Sequence, residues 1–123
     1  MTQEDLLKYL QENSLGSYMN NTKWERFVSK VILNNIYEPK VNINLIFEKG
    51  TSNGYSLISW KEVKRDGYEF IEWVKINPIK EEYVGKLVKP KLTDYSQLIE
   101  SKLIDNQIPY QYENFIFTVY GYK

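Results

Sequence analysis

Glu72 stands in the middle of an apolar-rich run, GYEFIEWVKI, Gly67 to Ile76. Side chains alternate along a strand, so Tyr68, Phe70, Glu72, Val74 and Ile76 would share one face. Glu69, Ile71, Trp73 and Lys75 would share the other. A carboxylate on the more apolar face is held either for chemistry or as a structural hydrogen-bond acceptor. Buried, it needs a partner or a raised pKa, and the raised pKa is the condition of a general acid. The absences narrow that chemistry. The chain has no histidine and no cysteine, which removes the commonest general base, the thiolate nucleophile and the ordinary zinc ligands. Neighbouring carboxylates do not complete a site. Glu69 and Glu72 point to opposite faces of a strand, and Glu81-Glu82 lacks the spacing of a calcium loop. No Gly-rich phosphate loop, nucleophile elbow or HExxH helix occurs. The catalytic and metal sets are therefore empty, no cofactor is expected, and a hydrolase centred on Glu72 is the least favoured reading. Eleven tyrosines offer phenolic donors. Glu72 is read as a structural acceptor held by a tyrosine hydroxyl, a lysine or a backbone N–H.

Aromatic residues are the richer resource. Eleven Tyr, five Phe and three Trp exceed what a small core needs. Tyr and Trp left on a surface are typical anchors of protein interfaces, although sheets favour aromatics in any case. The candidate binding set is Trp60, Tyr68, Trp73, Tyr120 and Tyr122, with Glu72 beside them. Lys86, Lys89 and Lys91 join it from the one basic cluster, within residues 78–92.

Charge argues against nucleic acid. Sixteen basic residues meet sixteen acidic ones, so the net charge is zero. Binders of nucleic acid usually present a basic face, and the only arginines are Arg26 and Arg65. No run approaches the ~20 apolar residues that span a bilayer. The N-terminus, MTQEDLLKYLQEN, is acidic where a signal peptide is basic, which points to the cytoplasm.

The elements that must position these residues follow from periodicity. Thr2 with Asp5 reads as a capping box for a first helix ending near Asn13, with residues 1–19 as an N-terminal appendage. Trp24, Phe27, Val28, Val31 and Ile32 form one face of a stronger helix, capped at Asn21 or Thr22 with Glu25 closing a box. VNINLIF alternates as a strand. A turn at Asn53-Gly54 leads into YSLISW as a second strand, and Asp66-Gly67 turns into a third. Residues 78–92 read as a solvated loop. TDYSQLIESKLIDNQ reads as a helix, with Tyr95, Leu98, Ile99 and Leu103 inward. YQYENFIFTVYGY closes the chain as a strand or a hairpin turning at Glu113-Asn114. One α+β domain over residues 1–123 results. It has a single antiparallel sheet of four to five strands and two to three helices, in the order α-α-β-β-β-α-β(β).

NNTKW opening a helix, GYSLISW, GYEFIEWVKI and the terminal IPYQYENFIFTVYGY together resemble a bacterial family of small domains of unknown function. Its pattern is N-T-K-W, then G-Y-x-x-I-E-W, then V-Y-G-Y. Trp24, Tyr68, Ile71, Glu72, Trp73, Ile76, Pro109, Tyr120, Gly121 and Tyr122 carry the resemblance, which covers residues 20–123. The first helix and the Lys-rich 78–92 stretch look like departures from it. The resemblance implies no chemistry. Small α+β domains of this look include immunity proteins that neutralise toxins, an analogy of fold alone. The expectation is a non-enzymatic cytoplasmic domain that binds a protein partner, an immunity protein being the specific candidate. The alternative is a module that binds a small ligand or nucleic acid through surface aromatics and loop lysines.

Overall fold

A computed structural model of the chain describes residues 2–34, 36–48 and 54–123. Helix α1 spans Gln3–Glu12. Thr2 and Asp5 form its capping box, each side chain accepting from the other's backbone N–H. Helix α2, Asn21–Arg26, runs on into a π-helical segment, Phe27–Ile32. Its cap is Asn20, whose side-chain oxygen accepts from the Lys23 N–H at 2.8 Å. The box expected between Thr22 and Glu25 is not used, because the Glu25 carboxylate turns to the Lys64 ammonium 2.6 Å away.

Strand β1, Lys40–Leu45, follows the alternation read in VNINLIF. The strand expected at Tyr55–Trp60 is not there. Ser56 makes a single bridge to Val41, and Trp60 begins helix α3, Trp60–Asp66. Trp60 and Val63 lie three apart and both pack on the core, while Lys61, Glu62, Lys64 and Arg65 face water. That is the amphipathic pattern of a helix, two turns long. Gly67, with φ 114°, ends α3, so Asp66-Gly67 is a helix stop and not a hairpin. Of the other expected turn, Asn53 lies outside the described residues.

Strands β2, Ile71–Asn77, and β3, Ile79–Glu82, flank Pro78. Strand β4, Lys91–Asp94, pairs with β3, so the stretch read as a loop is an arm with a paired base. Helix α4, Ser96–Asp105, and the hairpin of β5, Gln111–Glu113, and β6, Ile116–Tyr120, complete the chain. The hairpin turns through Asn114 and Phe115, both at positive φ. The fold is α+β. Four strands form an antiparallel sheet in the order β1-β2-β6-β5, and β3-β4 stands as a separate two-stranded unit.

The core lies on one face of the sheet. Val41, Val74, Ile76, Phe117 and Val119 meet Trp24, Phe27, Val31, Ile32, Ile99 and Leu103 in one buried cluster. All five residues of the expected α2 face are buried, including its π-helical half. Helix α1 is docked. Leu6 is buried, Tyr9 meets the Phe47 ring edge-on at 5.9 Å, and Gln3 donates to Glu69.

Candidate functional site

The alternation drawn through Gly67–Ile76 breaks at Glu72. Asn44 pairs with Trp73 and Leu45 with Ile71, so Glu72 is an extra residue, a β-bulge. One extra residue reverses the parity on its far side. Ile71, Val74 and Ile76 therefore all reach the core, with no exposure, while Trp73 and Lys75 point the other way. The Glu72 carbonyl accepts from both Gly121 N–H and Tyr122 N–H, at 2.7 and 3.2 Å. Its carboxylate accepts from the Asn44 carboxamide at 2.5 Å. The Glu72 carboxylate is an acceptor, but its donor is an amide side chain, not the tyrosine, lysine or backbone N–H expected. A neutral donor has a direct consequence. Glu72→Gln keeps shape and an acceptor oxygen, so urea melts should place the variant within ~1 kcal/mol of wild type. A loss beyond ~1.5 kcal/mol, the range of charged hydrogen bonds, would show that the negative charge itself is needed.

Several candidate aromatics serve the fold. Trp60, a candidate binding residue, is buried against Phe27, ring edge to face at 6.1 Å, and is not part of an exposed surface. Tyr68 is buried, and its hydroxyl lies against Glu25. Burial first, then that carboxylate, pushes the phenol pKa up. Tyr122 is half-buried and donates to the Glu69 carbonyl at 2.8 Å. Its phenol too is pushed up, by burial and by the Glu69 charge. Tyr37, stacked on Tyr95 with centroids 4.2 Å apart, is pushed up to about 12 by burial and by Tyr95 and Asp94. These hydroxyls stay protonated well beyond neutral pH and act as donors and packing groups.

Trp73 and Tyr120 are brought together. They pair across β2 and β6 and share the face turned away from the core. Asn44 lies in the same row on β1, and the next row is Asn42, Lys75, Thr118 and Gln111. The Lys75 ammonium stands 4.9 Å from the Trp73 ring centroid, and that of Lys123 stands 5.0 Å from Tyr120. Both rings are partly exposed. A cation held over a ring fixes the flexible lysine and leaves its charge at the surface. At the β5 end of this face Tyr120 and Lys123, with Tyr18, Pro109, Tyr110 and Gln111, enclose a shallow cleft of about 210 Å³. Neither Tyr18 nor Lys123 is among the residues singled out from the sequence. The Asn42 side-chain oxygen is buried in this face without a donor among the described residues.

Lys86, Lys89 and Lys91 lie apart from that face, on the β3-β4 arm. The arm's loop carries a feature that its lysines hid in the sequence. Leu87 is 100% exposed, Tyr83 74%, Val84 69% and Val88 60%. Among the described residues no cluster of acidic side chains has the geometry to hold a metal ion, and no helix is long and apolar enough to cross a membrane.

A family model described as "Family of unknown function (DUF6678)" matches residues 6–123, a span that includes most of α1 and the whole Lys-rich arm. No curated protein and no solved structure matches.

Proposed function

The chain belongs to that family of unknown function, and from this premise we propose that it is a non-enzymatic protein-interaction domain. Its contact surface is the open face of the sheet. The single observation that carries the reading is the Trp73–Tyr120 pair. Two large aromatic rings sit side by side, each partly exposed and each with a lysine ammonium over it. Aromatic anchors beside positive charge suit a protein surface that offers apolar pockets rimmed by carboxylates. Rigid strands hold the anchors, so little side-chain or backbone order remains to be paid for on binding. The finer form of this reading is a cytoplasmic immunity protein whose partner is a toxin domain. The support for that form is analogy with other small α+β domains.

A nucleic-acid or small-ligand module would use the same rings for stacking. The zero net charge and the scarcity of arginine weigh against the nucleic-acid form. The test compares wild type with Trp73→Ala/Tyr120→Ala in a pull-down of the products of the neighbouring genes. Melts and titrations with duplex and single-stranded oligonucleotides run on the same preparations. Loss of two anchors should weaken partner binding by at least ~30-fold, about 2 kcal/mol, in a variant that still folds. Oligonucleotide binding should stay weaker than ~10 µM at physiological salt. Undiminished partner binding by the folded variant would sink the sheet-face reading. Submicromolar oligonucleotide binding with a steep salt slope would replace it with the nucleic-acid one.

A further inference from the structure

Two surfaces away from the sheet face complement one another in polarity and charge. The first is the β3-β4 arm. Its exposed tip presents Tyr83, Val84, Leu87 and Val88, interleaved with Lys86 and Lys89. Contiguous apolar exposure of this kind marks a contact surface. Neither lysine makes an ion pair within the chain among the described residues, whereas Lys80 at the arm's base is held by Glu82 at 3.2 Å. The second is a cleft of about 280 Å³ between β1 and α3. Its floor includes Ile43, Ile58 and Val63, all partly buried and packed on the core. Glu48, Glu62 and Asp66 rim it. Glu48 and Glu62 make no ion pair among the described residues, and Asp66 meets only its exposed neighbour Arg65, at 3.3 Å.

The arm and the cleft start from opposite ends of β1. The arm leaves the sheet beside Asn77, which pairs with Lys40 at the start of β1. The cleft lies at the other end, beside Ile43 and Leu45. Five strand steps of ~3.4 Å separate Lys40 from Leu45.

We infer that the apolar, lysine-bearing arm of one copy docks into the carboxylate-rimmed apolar cleft of a second copy. The occupant is argued from charge complementarity and from position. The tip carries Lys86 and Lys89 among apolar residues, and the socket carries Glu48, Glu62 and Asp66, in a chain whose net charge is zero. Reciprocal docking about a two-fold axis buries both arms and both clefts and closes the assembly, while one-way docking would build an open chain of copies. The inference uses none of the sheet-face residues, so it and the partner-binding reading can fail separately.

The test is sedimentation equilibrium of the full chain up to about 1 mM, at low and high salt. Two charge-reversed variants accompany wild type: Lys86→Glu/Lys89→Glu on the arm and Glu48→Lys/Glu62→Lys at the cleft. All four positions are exposed, and circular dichroism confirms folding. Wild type should associate, more weakly at high salt. Each variant alone should associate at least ~10-fold more weakly. An equimolar mixture of the two should recover association, because the reversed arm meets the reversed cleft and the native arm meets the native one. A wild type that stays monomeric throughout would overturn the inference. So would a variant that associates like wild type, or a mixture that does not recover.

Discussion

Gly121→Ala should cost ~3 kcal/mol or more, the upper end of what overpacking costs, and lower the midpoint of thermal unfolding by on the order of 10 °C. The reason is a backbone approach that no side chain can share. A Cβ at position 121 would lie 2.2 Å from the Ile71 carbonyl oxygen and 3.3 Å from Cζ2 of Trp24. The nearer obstacle is main chain within β2, beside the bulge, so relief means moving a strand. That movement would also disturb the Gly121 N–H donation to Glu72 O, at 2.7 Å, and the Tyr18 N–H donation to Gly121 O, at 2.9 Å. The matched control is Gly16→Ala. Its Cβ would meet only the Lys123 carbonyl at 3.8 Å, an ordinary contact, so it should melt close to wild type. Equal melting of the two variants would mean that the end of β6 does not lie against Ile71.

Trp24→Ala should cost ~3–5 kcal/mol. The indole is 2% exposed and meets Phe27 edge-on at 5.5 Å, and Phe27 in turn meets Trp60. Its removal leaves a cavity between α2 and the sheet that neighbours fixed on strands and helices cannot collapse to fill. Against a usual total of ~5–15 kcal/mol, the variant should be near the edge of folding. Urea melts check this directly, and a loss under ~1 kcal/mol would take Trp24 out of the core. The double variant with Gly121→Ala sharpens the test. Trp24→Ala removes the 3.3 Å contact but leaves the 2.2 Å one, so it should not rescue Gly121→Ala.

The stronger helices were legible because their signals are local. The Thr2–Asp5 capping box forms as read, and the Trp24, Phe27, Val28, Val31, Ile32 spacing is buried throughout. The last hairpin forms as its sequence suggested, but it turns through Asn114-Phe115, one residue beyond the expected Glu113-Asn114. The miss at Tyr55–Trp60 has a physical cause. A six-residue run of mixed apolar and polar residues satisfies a strand pattern, but the choice went to burial of Trp60 and Val63 on one helical face. The Lys-rich stretch was read by its charge, and the apolar residues between the lysines have no period that places them in or out of a core.

The candidate site divides along the same line. Residue types alone limited its chemistry. Without histidine or cysteine there is no acid/base pair of the common kind and no ordinary zinc site, and a zero net charge sets the sequence against general affinity for nucleic acid. Those statements need only composition and spacing, and the α+β class needs only periodicity. Which aromatics reach the surface could not be read that way. A single bulged residue at Glu72 brings Ile71 to the core face with Val74 and Ile76, where strict alternation set it beside Trp73, while the helix at Trp60 takes that ring inside. Bulge and helix are both decided by contacts between residues far apart in the chain, Glu72 with Gly121 and Trp60 with Phe27. A local pattern specifies period, but only packing against the rest of the chain specifies parity and side.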